Sequence, residues 1–381
     1  MASVQESGAE VDRLVSLAHD TAVFLRARRA PFGVVGVVGD ALFAAVLAEL
    51  DSTIDVDDWI ERAIAAARPE PSLHRGLAGL GFVLALYRPD EARLRVIDDS
   101  VRLALPQLPP ASLQSGVAGV AVYASLRSHA ASGRALQAEI VRCLEERAQV
   151  DGPGVVWHTP LSYLQRRRVP SAPEPIIELG IVHGVAGALV GLAALARCGH
   201  GVAADLVRAA LTALWARQAR QPTGFGRIEL GVDGAGGAID CGREPFCVGD
   251  PGILRAAWLS ARAVGDEESA QRALVGLRAV ADHELTRPIT EATRLDLCCG
   301  IAASAEVHLR MHAETGEPAF LAASRRLQQA CAARVGALPF YDFRFGRAGV
   351  LLALLSGSGL VDPRWDALIG ISFPAKSETA P

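Results

Sequence analysis

Residues 179–196 read LGIVHGVAGALVGLAALA, an apolar run in which His183 is the only polar side chain. Gly184, Gly187 and Gly191 stand three and four positions apart, so on a helix they share one face and admit a neighbouring backbone closely. The rest of the run is apolar all round, which suits a helix buried on every side. A membrane span needs about 20 uninterrupted apolar residues, and this run, with its histidine and glycines, is not one.

The Gly-x-x-Gly step that opens this helix recurs along the chain. It appears as Gly76-Leu-Ala-Gly79, Gly116-Val-Ala-Gly119, Gly184-Val-Ala-Gly187, Gly249-Asp-Pro-Gly252, Gly300-Ile-Ala-Ala303 and Gly346-Arg-Ala-Gly349. The first glycines are 40, 68, 65, 51 and 46 residues apart. A helical hairpin with its loops takes roughly 35 to 50 residues, so each interval holds one hairpin and the longer two also an extended loop. Between the steps lie one-faced helices. In Val202 to Ala219 the apolar face is Leu206, Ala210, Leu211, Leu214 and Trp215, with Arg208, Arg217 and Arg220 off it. Leu136, Ile140 and Leu144 repeat the pattern. Buried helices alternating with one-faced helices imply an all-α double ring, an α/α toroid, read as one domain over residues 1–372 with a disordered tail over 373–381. Residues 151–175, with Arg166 to Arg168, are expected as an exposed loop, and Gly-rich residues 221–246 lead into Cys247.

Composition agrees. Half of the 381 residues are hydrophobic and only 5% aromatic, as tightly packed Ala/Leu helices require. With 38 basic and 42 acidic residues there is no excess positive charge to hold nucleic acid. No signal peptide or membrane span is evident, and the seven cysteines show no disulfide-like spacing, so a cytoplasmic protein with reduced thiols is expected.

The chemistry-bearing residues precede the steps. His183 stands immediately before Gly184, Cys247 two before Gly249, and Cys298-Cys299 immediately before Gly300. If each step starts a buried helix, these side chains gather at helix N-termini, where partial positive charge favours thiolate. Three thiolates at one rim would suit Zn²⁺ with a fourth position open. Taken from spacing alone, the cysteines are equally compatible with small buried side chains. His183 alone reads as readily as a hydrogen-bonded core histidine, and Arg243 as a solvated loop charge. Cys143, Cys198 and Cys331 lie in helix-like segments and read as ordinary thiols, as does Cys241 in its loop.

At Leu179-Gly-Ile-Val-His183-Gly184-Val-Ala-Gly187, Phe246-Cys247-Val-Gly-Asp-Pro-Gly252 and Leu297-Cys298-Cys299-Gly300 the chain resembles the lanthionine synthetase C-like family. The resemblance runs over roughly residues 70–355. It implies a toroid of about seven hairpins, the seventh falling in the first 60 residues. It also implies a zinc enzyme that adds cysteine thiolates of a ribosomal peptide to dehydroalanine or dehydrobutyrine, closing thioether rings. Zn²⁺ would be held by Cys247, Cys298 and Cys299, with His183 as acid/base group and Arg243 supporting the enolate. Three departures stand out. Cys299 occupies a position usually held by histidine, which makes the site net −1. Ser112 stands where the family typically carries an acidic residue, and Val248 where an aromatic is common.

The reading is therefore a zinc-dependent cyclase acting on a dehydrated precursor peptide. A separate dehydratase is expected, because the toroid leaves no room for one in this chain, and an exporter is a further expected partner. The missing carboxylate at Ser112 motivates the alternative of a non-catalytic, cyclase-like zinc protein that binds or scaffolds the peptide. A zinc prenyltransferase subunit is disfavoured, since 5% aromatics cannot line its pocket.

Overall fold

A computed structural model describes residues 2–159, 176–218, 227–229, 238–240 and 245–374. Every glycine step opens an α-helix whose first two turns are buried nearly throughout. These helices are α4 (Leu77–Tyr87), α6 (Val117–Ser125), α8 (Val185–Ala196), α10 (Asp250–Val264), α12 (Ile301–Thr315) and α14 (Arg347–Gly357). The expected additional step is Gly36-Val-Val-Gly39, which opens α2 (Val37–Leu47), buried at every position. The one-faced helices are α1 (Ala2–Ala27), α3 (Val56–Ala65), α5 (Glu91–Ala104), α7 (Ala131–Glu146), α9 (Gly201–Gln218), α11 (Glu267–Thr286) and α13 (Pro318–Arg334).

One turn geometry precedes the buried helices. The glycine N–H donates to the carbonyl four residues back at Gly76, Gly116, Gly184, Gly249, Gly300 and Gly346. The turn brings the glycine Cα against the preceding chain. A Cβ at Gly184 would lie 2.1 Å from the Glu178 carbonyl oxygen, and one at Gly300 would lie 2.3 Å from the Asp296 nitrogen. These φ values are negative (−127° and −108°), so glycine is required for space and not for a left-handed backbone.

The chain groups into two compact units, Met1–Arg68 with Ala281–Asp366, and Pro69–Val280 with Ala367–Pro381. In the first, α12 packs on α13, α14 contacts both, and α1 lies against α14 and α2. Phe343 meets Trp365 edge-on at 5.8 Å in its core. In the second, α8 touches α6, α9 and α10. The α6–α8 approach depends on Gly191, where a Cβ would meet the Ala118 carbonyl oxygen at 2.4 Å. Between α5, α6 and α7 a buried Arg127 pairs with Glu91 (2.7 Å) and Asp98 (3.2 Å), and Tyr123 donates to Asp98 at 2.6 Å.

A backbone ladder joins the turns of the second unit. The His74 N–H donates to Gln114 O (2.9 Å), Gln114 N–H to Val182 O (3.2 Å), and Val182 N–H to Cys247 O (3.3 Å). Each partner is the residue two before a step glycine, so successive repeats are held in one register.

Two expectations are corrected. Residues 149–156 form a β-hairpin, β1 (Gln149–Asp151) and β2 (Gly154–Val156), rather than open loop, and the Trp157 that follows is fully buried. Its indole donates to Leu144 O at 2.8 Å, which anchors the hairpin on α7. Arg217 is not off the apolar face of α9; it is buried and ion-paired with Asp151 of that hairpin. Among the described residues two further strands, β3 (Arg227–Glu229) and β4 (Ala238–Asp240), pair antiparallel. The expected Arg166 to Arg168 loop lies outside the described residues, as do Arg220 and the tail from residue 375. No helix among the described residues is long and apolar enough to cross a membrane.

Candidate metal centre

The common turn sorts its side chains into two rows. Two residues before the glycines stand Val34, His74, Gln114, Val182, Cys247, Cys298 and Arg344, all buried except half-buried Gln114. Immediately before the glycines stand Val35, Arg75, Ser115, His183, Val248, Cys299 and Phe345, each at least partly exposed. The candidate residues thus occupy equivalent positions. Cys247 and Cys298 belong to the buried row, while Cys299 and His183 belong to the open one.

Cys298 and Cys299 stand on one turn and Cys247 at the equivalent position of another, and three such thiols could hold a metal ion. The Cys298 and Cys299 sulfurs are 3.6 Å apart. Zinc–thiolate bonds of about 2.3 Å in a tetrahedron give a sulfur–sulfur edge of about 3.8 Å, so the Cys298-Cys299 pair fits Zn²⁺. Cysteine sulfur is also the donor zinc takes readily. The Cys298-Cys299 backbone is fixed by Asp296, whose Oδ1 accepts both N–H groups at 2.9 and 2.8 Å. The other carboxylate oxygen of Asp296 accepts from Arg294 Nε at 2.8 Å.

Arg344, unremarked in the sequence, belongs to this constellation. Its Nη2 donates to Cys298 Sγ at 3.0 Å, and the guanidinium is buried. The signal was available in the repeat register: Arg344 stands two before Gly346, as Cys298 stands two before Gly300.

His183 is partly exposed and is steadied from two sides. The Thr159 hydroxyl donates to the His183 carbonyl at 3.0 Å, and Thr159 is itself bridged to Ile176. The Ser112 hydroxyl lies 3.3 Å from His183 Nδ1, donates to Val182 O at 3.0 Å and accepts the Ser115 N–H at 3.0 Å. With its single proton on Val182 O, that oxygen is left to accept Nδ1–H.

The other cysteines separate by environment. Burial pushes the Cys331 thiol up to about 12 and raises that of Cys143, so both are unreactive thiols. Cys198 lies in the turn after α8 rather than in a helix, with its sulfur 3.5 Å from the Ser128 hydroxyl. Arg243 and Cys241 lie outside the described residues.

A family model described as "Lanthionine synthetase C-like protein" matches residues 35–356. Among solved structures, one titled "Nisin cyclase" superposes with a TM-score of 0.73 at 15% sequence identity, covering 95% of this chain and 97% of that one. At that identity the likeness speaks for the fold, which is the all-α, α/α-toroid fold expected from the glycine steps. No curated protein matches the sequence.

Proposed function

The chain belongs to the lanthionine synthetase C-like family, and we propose that it is a zinc-dependent lanthipeptide cyclase closing thioether rings in a dehydrated precursor peptide. The observation that carries this reading is the Cys298-Cys299 pair, its sulfurs 3.6 Å apart, with Cys247 at the equivalent position of its own turn. Zn²⁺ bound there supplies an open coordination position and makes a thiolate available at neutral pH.

In this reading the substrate cysteine sulfur bonds to the β-carbon of a dehydroalanine or dehydrobutyrine, and the alkene pair shifts to form an enolate. His183, on the open row with Nδ1 against Ser112, delivers a proton to the α-carbon. Arg243 supports the enolate oxygen, a role carried over from the family pattern. The thiol proton is lost and the α-carbon proton gained, so ring closure leaves the mass unchanged. A separate dehydratase supplies the substrate in the cytoplasm, and an exporter takes the product.

The test is incubation with a dehydrated precursor, followed by thiol alkylation and mass analysis. Rings closed by the wild type and lost in His183→Ala and Cys299→Ala support the reading. Persistent alkylatable thiols with zinc bound would overturn it. A hydroxyl rather than a carboxylate beside His183 favours a second reading, a non-catalytic peptide scaffold. That reading requires precursor binding to survive His183→Ala, with no ring closure by the wild type.

A further inference from the structure

Three thiolates around Zn²⁺ leave a site of net charge −1, whereas two thiolates and a neutral histidine would leave zero. The chain carries a buried cation beside this set. Arg344 is 7% exposed, and its Nη2 lies 3.0 Å from Cys298 Sγ. Among the described residues no carboxylate pairs with it. Asp342, two residues earlier, spends its Oδ1 on the Arg344 and Phe345 N–H groups at 2.9 and 2.8 Å. The guanidinium otherwise lies over the Phe345 ring, 5.0 Å from its centroid. A buried guanidinium is costly without a compensating anion, and a neutral thiol is only a weak acceptor.

We infer that Arg344 is the counter-charge of the metal site, a positioning residue that offsets the extra thiolate introduced by Cys299. Its N–H···S bond holds the Cys298 sulfur in place and withdraws density from it. The local charge returns to zero, the value a histidine ligand would give. The repeat register explains the placement, because Arg344 occupies in its own turn the buried-row position that Cys298 occupies in the preceding one. This inference rests on the zinc reading above.

Zinc affinity measured by competition with a chromophoric chelator tests it, together with the sulfur-to-metal absorption band of the Co²⁺-substituted protein. Arg344→Gln is expected to weaken zinc by about tenfold to a hundredfold, as loss of outer partners of a metal site does. Arg344→Lys should recover part of that loss. Cys299→His, added to Arg344→Gln, should recover most of it, because the imidazole removes the excess negative charge. Wild-type zinc affinity together with an unshifted cobalt band in Arg344→Gln would overturn the inference while leaving the zinc site standing. Absence of zinc from the wild type would instead overturn the zinc reading itself. Should Arg344→Gln fail to fold, Arg344→Lys decides. A shifted cobalt band supports the N–H···S bond, and an unshifted one overturns it.

Discussion

The turns ending at Gly300 and Gly346 share one backbone and carry different chemistry. In each, an aspartate four before the glycine accepts the two N–H groups that follow, Asp296 those of Cys298 and Cys299, Asp342 those of Arg344 and Phe345. In each, the glycine N–H returns to that aspartate's carbonyl, at 3.0 Å for Gly300 and 3.1 Å for Gly346. One turn presents two thiols and the other a guanidinium and a phenyl ring. The scaffold and the chemistry are therefore separable: turn geometry lives in the aspartate and the glycine, and ligand identity in the two residues immediately before the glycine. Ser112 fits the same frame. It holds the aspartate's place in the Gly116 turn and accepts the Ser115 N–H, so this position serves the turn as well as His183.

Gly300→Ala and Gly346→Ala should have the largest and most nearly equal effects. Their Cβ atoms would lie 2.3 Å and 2.5 Å from aspartate nitrogens, and a loss of about 4 kcal/mol in denaturant unfolding is expected for each. Unequal losses would show that the two turns are not equivalent scaffolds.

The helices after the turns differ in acid response. In α12, His308 is fully buried, packs beside Phe320, and is pushed by burial from 6.5 down to about 4. The fold thus favours the neutral ring, while the unfolded chain protonates below about 6.5. Stability should be unaffected above that pH and fall by up to about 3 kcal/mol as pH drops towards 4. Asp40 in α2 opposes this. Burial raises its carboxyl to about 6 despite Arg28, so its contribution is present in acid and lost as pH rises from about 4 to 6. Denaturant titrations of Asp40→Asn should expose the His308 slope, and adding His308→Leu to that variant should flatten it. A slope that persists in the double variant would break the assignment.

Asp296→Ala and Asp342→Ala each leave two N–H groups without their acceptor and should each cost about 2 kcal/mol in urea unfolding. Zinc retention is the discriminating readout, with the larger loss expected from Asp296→Ala, whose turn carries two of the ligands. The smallest effect belongs to Ser112→Ala, about 1 kcal/mol. Ser112→Asp should retain the turn and raise the apparent pKa of His183 in a pH–rate profile, because a carboxylate beside an imidazole favours its protonated form.

Six of the glycine steps, the buried helices behind them and the cysteine set were legible in the sequence, because helical period and glycine spacing are local properties. The step at Gly36 was less visible, since Gly36-Val-Val-Gly39 lies inside an apolar run that reads as one continuous helix. Arg217 looked like a surface charge because its partner, Asp151, lies 66 residues away on a hairpin that no helical pattern announces. Arg344 escaped notice for a related reason: arginine is no metal ligand, and its significance depends on the sulfur it touches.

Sequence alone determined the repeat, the all-α class and which thiols stand at helix starts, because each follows from residue type and spacing along one segment. Tertiary structure decided which turn positions are buried and which open. It also set His183 Nδ1 against the Ser112 hydroxyl and a guanidinium against Cys298. Those outcomes depend on the register between separate turns, and hydrogen bonds such as Gln114 N–H to Val182 O set that register only after the helices have packed.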